Sequence, residues 1–296
     1  MDNVGILGVG TMGKGMVKNL IKNGYSVFAF DPSENAKNEA NNLGAIVMNN
    51  PGEVAGKIEA LLLSLPTSQS VVEAINGTNG ALESMKKGTL ICDMSTTAIE
   101  VEKKLYQEAK KKGIGFLDCP VSGGPKGSDQ GILSIMVGGD KEDFDRAKEV
   151  LESIGKSIFY LGDIGAGQTV KLCNNIVQGV QLVALSEAFA TAVKSGVNSK
   201  TLLEVLLSGG AYSKVLEAFG DNLAKGNYDK VSFALHHMHK DMSLYIDLAN
   251  QLKVPSSVSA LSYQMYNSAI NKGFGDKDVS AVATVEEGLA NLKIKY

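Results

Sequence analysis

The sequence predicts an α/β first half built on a mostly parallel sheet, followed by an all-α second half. Two observations carry this. Short apolar runs alternate with segments of helical period as far as residue 162, the pattern of βαβ units. Beyond Gly162 no strand pattern recurs, and Gln168 to about Lys194 reads as one long helix. The division near Asp163–Gly167 gives domains 1–163 and 164–296.

The elements follow in order. The run Val4–Leu7 precedes a helix over Met12–Lys22, and Ser26–Phe30 precedes Glu34–Asn42. Ala60–Leu65 leads to a helix near Gln69–Ile75, and Thr89–Cys92 to a charged helix over Ile99–Lys111. Gly115–Cys119 and Leu133–Val137 read as strands, then a helix over Glu142–Ser153 and a last strand, Ser157–Leu161. The long helix is apolar on most sides (Val170, Leu172, Ile176, Val177, Val180, Leu182), a pattern that predicts burial. Shorter helices are expected over Lys200–Leu207, Lys214–Ala224, Phe233–Leu252, Ser257–Asn271 and Val279–Leu289.

Composition sets limits. A length of 296 residues fits two domains, and 44% apolar content argues against disorder. A net charge of −3 offers no electrostatic footprint for nucleic acid. Arg146 is the sole arginine, so an anionic ligand must be met by Lys, backbone N–H groups or hydroxyls. The N-terminus has no basic n-region, and no apolar stretch is expected to reach the ~20 residues that span a bilayer. Cys92, Cys119 and Cys173 are odd in number and widely spaced, against a disulfide framework or a zinc site. The expectation is a cytoplasmic protein with no nucleic-acid or membrane partner and no metal.

Gly8-Val9-Gly10-Thr11-Met12-Gly13 is G-x-G-x-x-G closing the first strand and opening the first helix. The glycines permit a tight turn, approach of a pyrophosphate and close helix–strand packing, and the helix N-terminus offers N–H groups to phosphate. The plain alternative is a Gly-rich βα turn. Asp31 ends the second strand, 18 residues after Gly13, where an acid binds the adenosine ribose 2′-OH. A carboxylate there repels the extra phosphate of NADP, so NAD is expected, with NADP as the alternative and Lys37 as the residue that would favour it. Helix capping or turn formation is the competing role for Asp31.

Ser122-Gly123-Gly124 follows a strand and exposes consecutive N–H groups and a hydroxyl, a cradle for a carboxylate, against the alternative of a flexible loop. Lys171 and Asn175 lie i, i+4 on one face at the start of the long helix. A partly desolvated Lys there suits general acid–base work, with Asn175 orienting a substrate oxygen; the bland alternative is a snorkelling Lys. His236, His237 and His239 are the chain's three histidines; a polar helix face fits them better than a metal site, since no acidic or Cys partner has ligand spacing.

Together these segments resemble the β-hydroxyacid dehydrogenase family, which includes 3-hydroxyisobutyrate dehydrogenases and tartronate semialdehyde (2-hydroxy-3-oxopropionate) reductases. Val4–Leu20 is similar to its nucleotide signature. Asp118–Gly131 is similar to its substrate segment, with Cys119 where Ala is usual. Gly165–Asn175 matches its catalytic segment and Lys240–Ala249 its C-terminal cofactor segment. Leu65-Pro66 and Asp93–Thr96 fit loops that line the cofactor. The resemblance implies a Rossmann-type domain, a long interdomain helix and an all-α C-terminal domain, assembled as a homodimer or homotetramer.

It also implies roles. Lys171 would be the general acid/base, Asn175 would hydrogen-bond substrate, and Ser122, Gly123 and Gly124 would anchor a small carboxylate substrate. Gly8, Gly10, Thr11, Met12, Gly13, Asp31, Leu65 and Pro66 would hold the cofactor, with Thr96 and Lys240 at its nicotinamide end and Phe233 along the same cleft. The expected reaction is reversible hydride transfer between a nicotinamide cofactor and a small β-hydroxy acid or its semialdehyde. Alternatives within the family are reduction of succinic semialdehyde, glyoxylate or a sulfonated aldehyde. Outside enzymology, the alternative is a non-catalytic dinucleotide-binding module, against which Lys171 and Asn175 weigh. Lys171 also weighs against an imine reductase. The chain length, and Asn174 where that relative places a His, weigh against a 6-phosphogluconate dehydrogenase.

Overall fold

The computed structural model describes residues 1–296 and divides them into two compact units, Met1–Lys171 and Leu172–Tyr296. The sequence places the division ahead of the long helix, whereas the two units part within it, at its second turn.

The first unit runs β1 (Asn3–Leu7), α1 (Gly13–Lys22), β2 (Ser26–Phe30), α2 (Glu34–Asn42), β3 (Ile46–Val47), α3 (Pro51–Ala55), β4 (Ala60–Leu63), α4 (Ser68–Asn76), α5 (Ala81–Ser84), β5 (Leu90–Asp93) and α6 (Ile99–Lys111). It continues through β6 (Gly115–Asp118), β7 (Val121–Ser122), α7 (Gly124–Gln130), β8 (Leu133–Gly139), α8 (Lys141–Ile154), β9 (Gly155–Tyr160) and the start of α9 (Ala166–Lys194). The sheet order is β3-β2-β1-β4-β5-β6-β8-β7, with β9 on β8. Strands β1 to β6 are parallel; β8 is antiparallel to β6 and β7. This is a doubly wound Rossmann-type order, reversing direction between β1 and β4.

The apolar runs are strands because both faces of a parallel sheet are covered. Ile6, Leu62, Cys92 and Leu117 enter one core, while Leu7, Leu61, Leu63, Ile91 and Phe116 enter the core on the opposite face. Helix starts are set locally. The Ser33 hydroxyl caps α2, Asn50 followed by Pro51 opens α3, and Thr67 with Ser70 forms a capping box at α4.

The second unit is helical: the rest of α9, then α10 (Ser199–Ser208), α11 (Lys214–Lys225), α12 (Leu235–Gln251), α13 (Ser257–Asn271), a 3-10 turn over Val279–Val282 and α14 (Ala283–Ala290). Its core gathers Leu182, Phe189, Leu223, Met238, Met242 and Tyr266. Gly179 lets the Met242 side chain pack close to α9: a Cβ there would lie 2.7 Å from its sulfur, so Met242 would have to shift.

Three expectations are corrected. The last helix, read as one, is split: the Asp278 carboxylate takes the Ser280 N–H and hydroxyl and tightens the first turn to 3-10. Helix α9, at 29 residues, is long and apolar enough to cross a membrane by length and composition, a test that the core helix of a globular protein also passes. It is also not buried all round, since Val170 and Val177 are 40% and 54% exposed. The short elements β3, α3, α5, β7 and α7 were not read from the sequence.

Candidate active site

Parallel strands send their carboxyl ends to one edge of the sheet, and the crevice there, at the reversal of strand order, is where such folds bind ligands. The predicted residues of the first unit emerge at that edge. Gly8–Gly13 follows β1, Asp31 follows β2, Leu65-Pro66 follows β4, Thr96 follows β5 and Ser122 follows β6.

The glycine turn has three distinct constraints. Gly8 has φ +91°, and a Cβ on it would sit 2.3 Å from the Ser64 carbonyl oxygen. A Cβ on Gly13 would sit 2.0 Å from the Gly8 carbonyl oxygen, so this glycine seats α1 against the turn. A Cβ on Gly10 would meet nothing within 4 Å. Open space beside an exposed glycine is the cradle a pyrophosphate requires. Met12, at the N-cap of α1, makes no side-chain cap, so the first N–H groups of α1 have no side-chain acceptor from it. Thr11 is exposed beside them. The residues fit a dinucleotide.

Asp31 serves the turn as well: Oδ2 accepts the Val9 N–H and Oδ1 the Ser33 N–H, each at 2.8 Å. Each oxygen keeps a lone pair for a ribose hydroxyl, so the two roles coexist. Lys37 is engaged, 2.7 Å from Glu34 and 5.8 Å from the Phe30 ring centroid. The loops after β4 and β5 are tied together, since the Leu65 N–H donates to the Ser95 hydroxyl at 2.9 Å. Thr96, half-buried, sits in the second of them, beside Thr97, whose hydroxyl donates to Asp93 at 2.9 Å.

The expected substrate turn is more ordered than a flexible loop. Ser122 pairs with Ser134 across β7 and β8, and Gly123 and Gly124 take φ +134° and +63°, where a side chain would be strained. Helix α7 then lies on α1: Asn19 donates to the Ser128 carbonyl at 2.9 Å, and the Ser128 hydroxyl donates to the Met12 carbonyl at 2.6 Å. Gly15 permits this approach, as a Cβ there would come within 2.6 Å of Ser128.

The start of α9 is fastened by groups that sequence reasoning did not single out. Asp118 accepts the Gly165 and Gln168 N–H groups, both at 2.7 Å, and so caps the helix from β6. Burial raises its pKa to about 6, against the pull of those N–H groups. Gln168 donates to the Ser95 carbonyl and to Glu102, and accepts the Thr97 N–H. Lys171 follows one turn later and is buried, 9% exposed.

In the second unit, Asn175 is buried and its Nδ2 donates to Asp241 Oδ2 at 2.5 Å. Lys240 Nζ lies 3.0 Å from Asp241 Oδ1. Asp241 is thus the residue that the motif reading missed: it joins Asn175 and Lys240 across α9 and α12. The adjacency of Lys240 and Asp241 was in the sequence; the 66-position separation from Asn175 hid the rest. Phe233 is half-buried and stacks on His237, centroids 5.8 Å apart, and burial lowers the His237 pKa.

Several groups have separate partners. His236 lies near Gly275 and Asp276 while His239 meets Asn267, and no group of three His, Cys, Asp or Glu side chains is placed to hold a metal ion. The three cysteines are free thiols. Arg146 bonds Asp143 at 2.7 Å and the Gly88 carbonyl.

Comparison with known proteins gives this arrangement its relatives. Residues 3–162 match the family model of the NAD binding domain of 6-phosphogluconate dehydrogenase, and residues 165–285 that of the NAD-binding domain of NADP-dependent 3-hydroxyisobutyrate dehydrogenase. The mitochondrial 3-hydroxyisobutyrate dehydrogenase of Mus musculus is 36% identical over 94% of this chain and 85% of its own. The 2-(hydroxymethyl)glutarate dehydrogenase of Eubacterium barkeri is 35% identical over 98% and 97%. A solved 3-hydroxyisobutyrate dehydrogenase from Salmonella typhimurium superposes with a TM-score of 0.90 at 28% identity, covering 96% of this chain and 100% of that one. With matches over nearly its whole length, the chain belongs to the β-hydroxyacid dehydrogenase family of NAD(P)-dependent oxidoreductases.

Proposed function

We propose that this enzyme interconverts a small β-hydroxy acid of the 3-hydroxyisobutyrate or tartronate semialdehyde type and its carbonyl form, with Lys171 as general acid/base and NAD as the preferred cofactor. The observation that carries the reading is the equipment of α9: a buried Lys171 and, one turn on, an Asn175 amide held by Asp241. Nδ2 of Asn175 bears two hydrogens. Asp241 accepts one, and the other is a donor for a substrate oxygen.

The bound cofactor supplies a hydride acceptor or donor at the nicotinamide C4. The protein's part is orientation and proton movement. Lys171 Nζ takes the hydroxyl proton in oxidation and returns it to the carbonyl oxygen in reduction. The N–H groups of Gly123 and Gly124 and the Ser122 hydroxyl hold the carboxylate, with Lys side chains in support, a role Arg146 cannot take because Asp143 and Gly88 engage it. The Gly8–Gly13 turn and α1 hold the pyrophosphate. Thr96 in the first unit, and in the second Lys240, paired with Asp241, and Phe233, are the residues assigned to the nicotinamide end.

The preference for NAD is supported by the Asp31 carboxylate after β2 and by the pairing of Lys37, the lysine that would favour a 2′-phosphate, with Glu34. A homodimer or homotetramer is supported by apolar side chains left exposed on the second unit, among them Val177, Val205, Val258 and Leu261. The test is a panel of 3-hydroxyisobutyrate, tartronate semialdehyde, succinic semialdehyde, glyoxylate and sulfonated analogues, followed by NADH and NADPH absorbance, with light scattering for the assembly. Turnover of the branched or tartronate substrates with NAD is expected. Equal kcat/KM with NADP would overturn the cofactor preference, and a monomer at working concentration the assembly.

A further inference from the structure

Glu102 projects from α6 into the interior of the first unit and is 0% exposed. The titratable groups facing it are Asp93 from β5 and Asp118 from β6, both acidic and both fully buried. From α9 it meets the neutral amide of Gln168. The three acids are unequally provided. Asp93 accepts the Ser95 N–H and the Thr97 hydroxyl, each at 2.9 Å, and Asp118 accepts two N–H groups. Glu102 receives one donor, Gln168 Nε2 at 2.7 Å on Oε1, and its Oε2 meets no donor. An ionised carboxylate with a bare oxygen, buried among other acids, is costly. A proton on Oε2 removes the charge and turns the orphan acceptor into a donor on the side of Asp93.

The Ser95 carbonyl and the Thr97 N–H set which way the Gln168 amide faces, and a proton on Oε2 leaves Oε1 of Glu102 as the acceptor that completes this setting. With Oε1 of Glu102 as the acceptor, both Nε2 hydrogens are used, on Glu102 and on the Ser95 carbonyl at 2.9 Å. Oε1 of Gln168 then faces the Thr97 N–H at 3.2 Å. A reversed amide would set an NH2 group against that N–H.

We propose that Glu102 is a positioning residue of the active site, a neutral acid protonated on Oε2 that fixes the Gln168 amide and so fastens the Ser95–Thr97 turn to the first turn of α9. This rests on the proposed function in one respect: the parts held in register are Thr96, between two anchored neighbours, and Lys171, three residues after Gln168. Burial first, and then the charges of Asp93 and Asp118, push the Glu102 carboxyl well above the usual range, in keeping with a held proton.

The experiment compares the full-length wild type with Glu102→Gln, which keeps the shape and neutrality without the titration, and Glu102→Leu, which keeps bulk alone. A carboxyl raised on folding contributes stability that is fully present below its unfolded value and is lost as pH rises towards its folded value. The wild-type folding constant, relative to Glu102→Gln, should therefore fall about tenfold per pH unit above roughly pH 5.5. A pH-independent ratio overturns the held proton. The wild-type-minus-Gln infrared difference spectrum at neutral pH should show a protonated carboxyl stretch; a carboxylate band in its place overturns it too. For positioning, Glu102→Leu should lower kcat about tenfold or more while Glu102→Gln restores it. Wild-type kcat in Glu102→Leu overturns the positioning role. The stability and infrared arms require no catalysis, so they stand apart from any failure of Lys171 as the acid/base.

Discussion

Gly10→Ala separates a cofactor cradle from a merely glycine-rich turn, because the structure assigns the methyl no cost in the protein itself. Gly10 is not among the residues with positive φ, so alanine can adopt its backbone, and the new Cβ would meet no atom within 4 Å. Removing glycine from such a position lowers the entropy of the unfolded chain, so folding should be unchanged or favoured by about 0.4–1 kcal/mol. Binding is different. A pyrophosphate seated against the Gly10 backbone would have to accommodate the methyl, and overpacking of one or two carbons costs about 1–3 kcal/mol. That range corresponds to roughly a 5- to 150-fold rise in Kd. Gly13→Ala is the contrasting variant: its Cβ would fall 2.0 Å from a backbone oxygen of Gly8, whose own N–H is bonded to the Phe30 carbonyl at 2.9 Å. It should destabilise the folded protein by about 1–3 kcal/mol or more, cofactor or none. The assays are NADH fluorescence titration and urea unfolding without cofactor. A Gly10→Ala protein with wild-type stability and wild-type Kd for NADH would refute the reasoning.

Three further outcomes are expected. Lys171→Ala should lower kcat by about 10²- to 10⁴-fold with little change in the NAD Kd, and near-normal turnover would remove Lys171 from the chemistry. Asp241→Asn leaves one carbonyl oxygen where two carboxylate oxygens serve Asn175 and Lys240, so kcat should fall by up to about 10²-fold through misplacement of Asn175 while the fold persists; steady-state kinetics beside circular dichroism would show it, and unaltered kcat would count against the role of Asn175. Asp118→Asn sets an NH2 group against one of the two N–H groups that open α9, costing about 1–3 kcal/mol in urea unfolding at neutral pH, and a wild-type midpoint would contradict that capping role.

The sequence made parts of this molecule legible for identifiable reasons. Strands β1, β4, β5 and β6 are buried on both faces, so they stand out as apolar runs, and α6 and α13 have the bounds their periodicity predicts. Strand β7 and helix α7 did not emerge: a two-residue strand has no period, and α7 starts from glycines whose positive φ a sequence does not display. The same limit governs the site. Gly8, Gly10, Gly13, Lys171 and Asn175 lie in compact motifs with spacing that carries a mechanism. Glu102 and Gln168 are 66 positions apart, as are Asn175 and Asp241, and each pair meets only through the fold. Glu102 does not stand out in the charged run Ile99–Lys111, because its neighbours Lys103 and Lys104 mask the buried stripe it shares with Leu105, Tyr106 and Ala109.

Helix α1 joins the two segments of the first unit to which ligand binding is proposed. Its N-terminus opens from the nucleotide turn, and its flank receives α7, which continues directly from Ser122-Gly123-Gly124. The contact is backbone-close: Gly15 and Ser128 are in van der Waals apposition, Asn19 bonds carbonyls of both helices at 2.8 and 2.9 Å, and Ser128 returns a bond to Met12 inside the turn itself. Glycine at 15 and a buried amide at 19 are poor choices for an isolated helix, so their presence is explained by this apposition rather than by helix formation. An element that grips α7 through its backbone cannot shift the Gly8–Gly13 turn without shifting the Ser122-Gly123-Gly124 turn. The spacing between the proposed cofactor and substrate anchors is therefore set by one packed pair of helices, while Lys171, the proposed acid/base, follows a separate fastening, the Asp118 and Gln168 bonds at the start of α9.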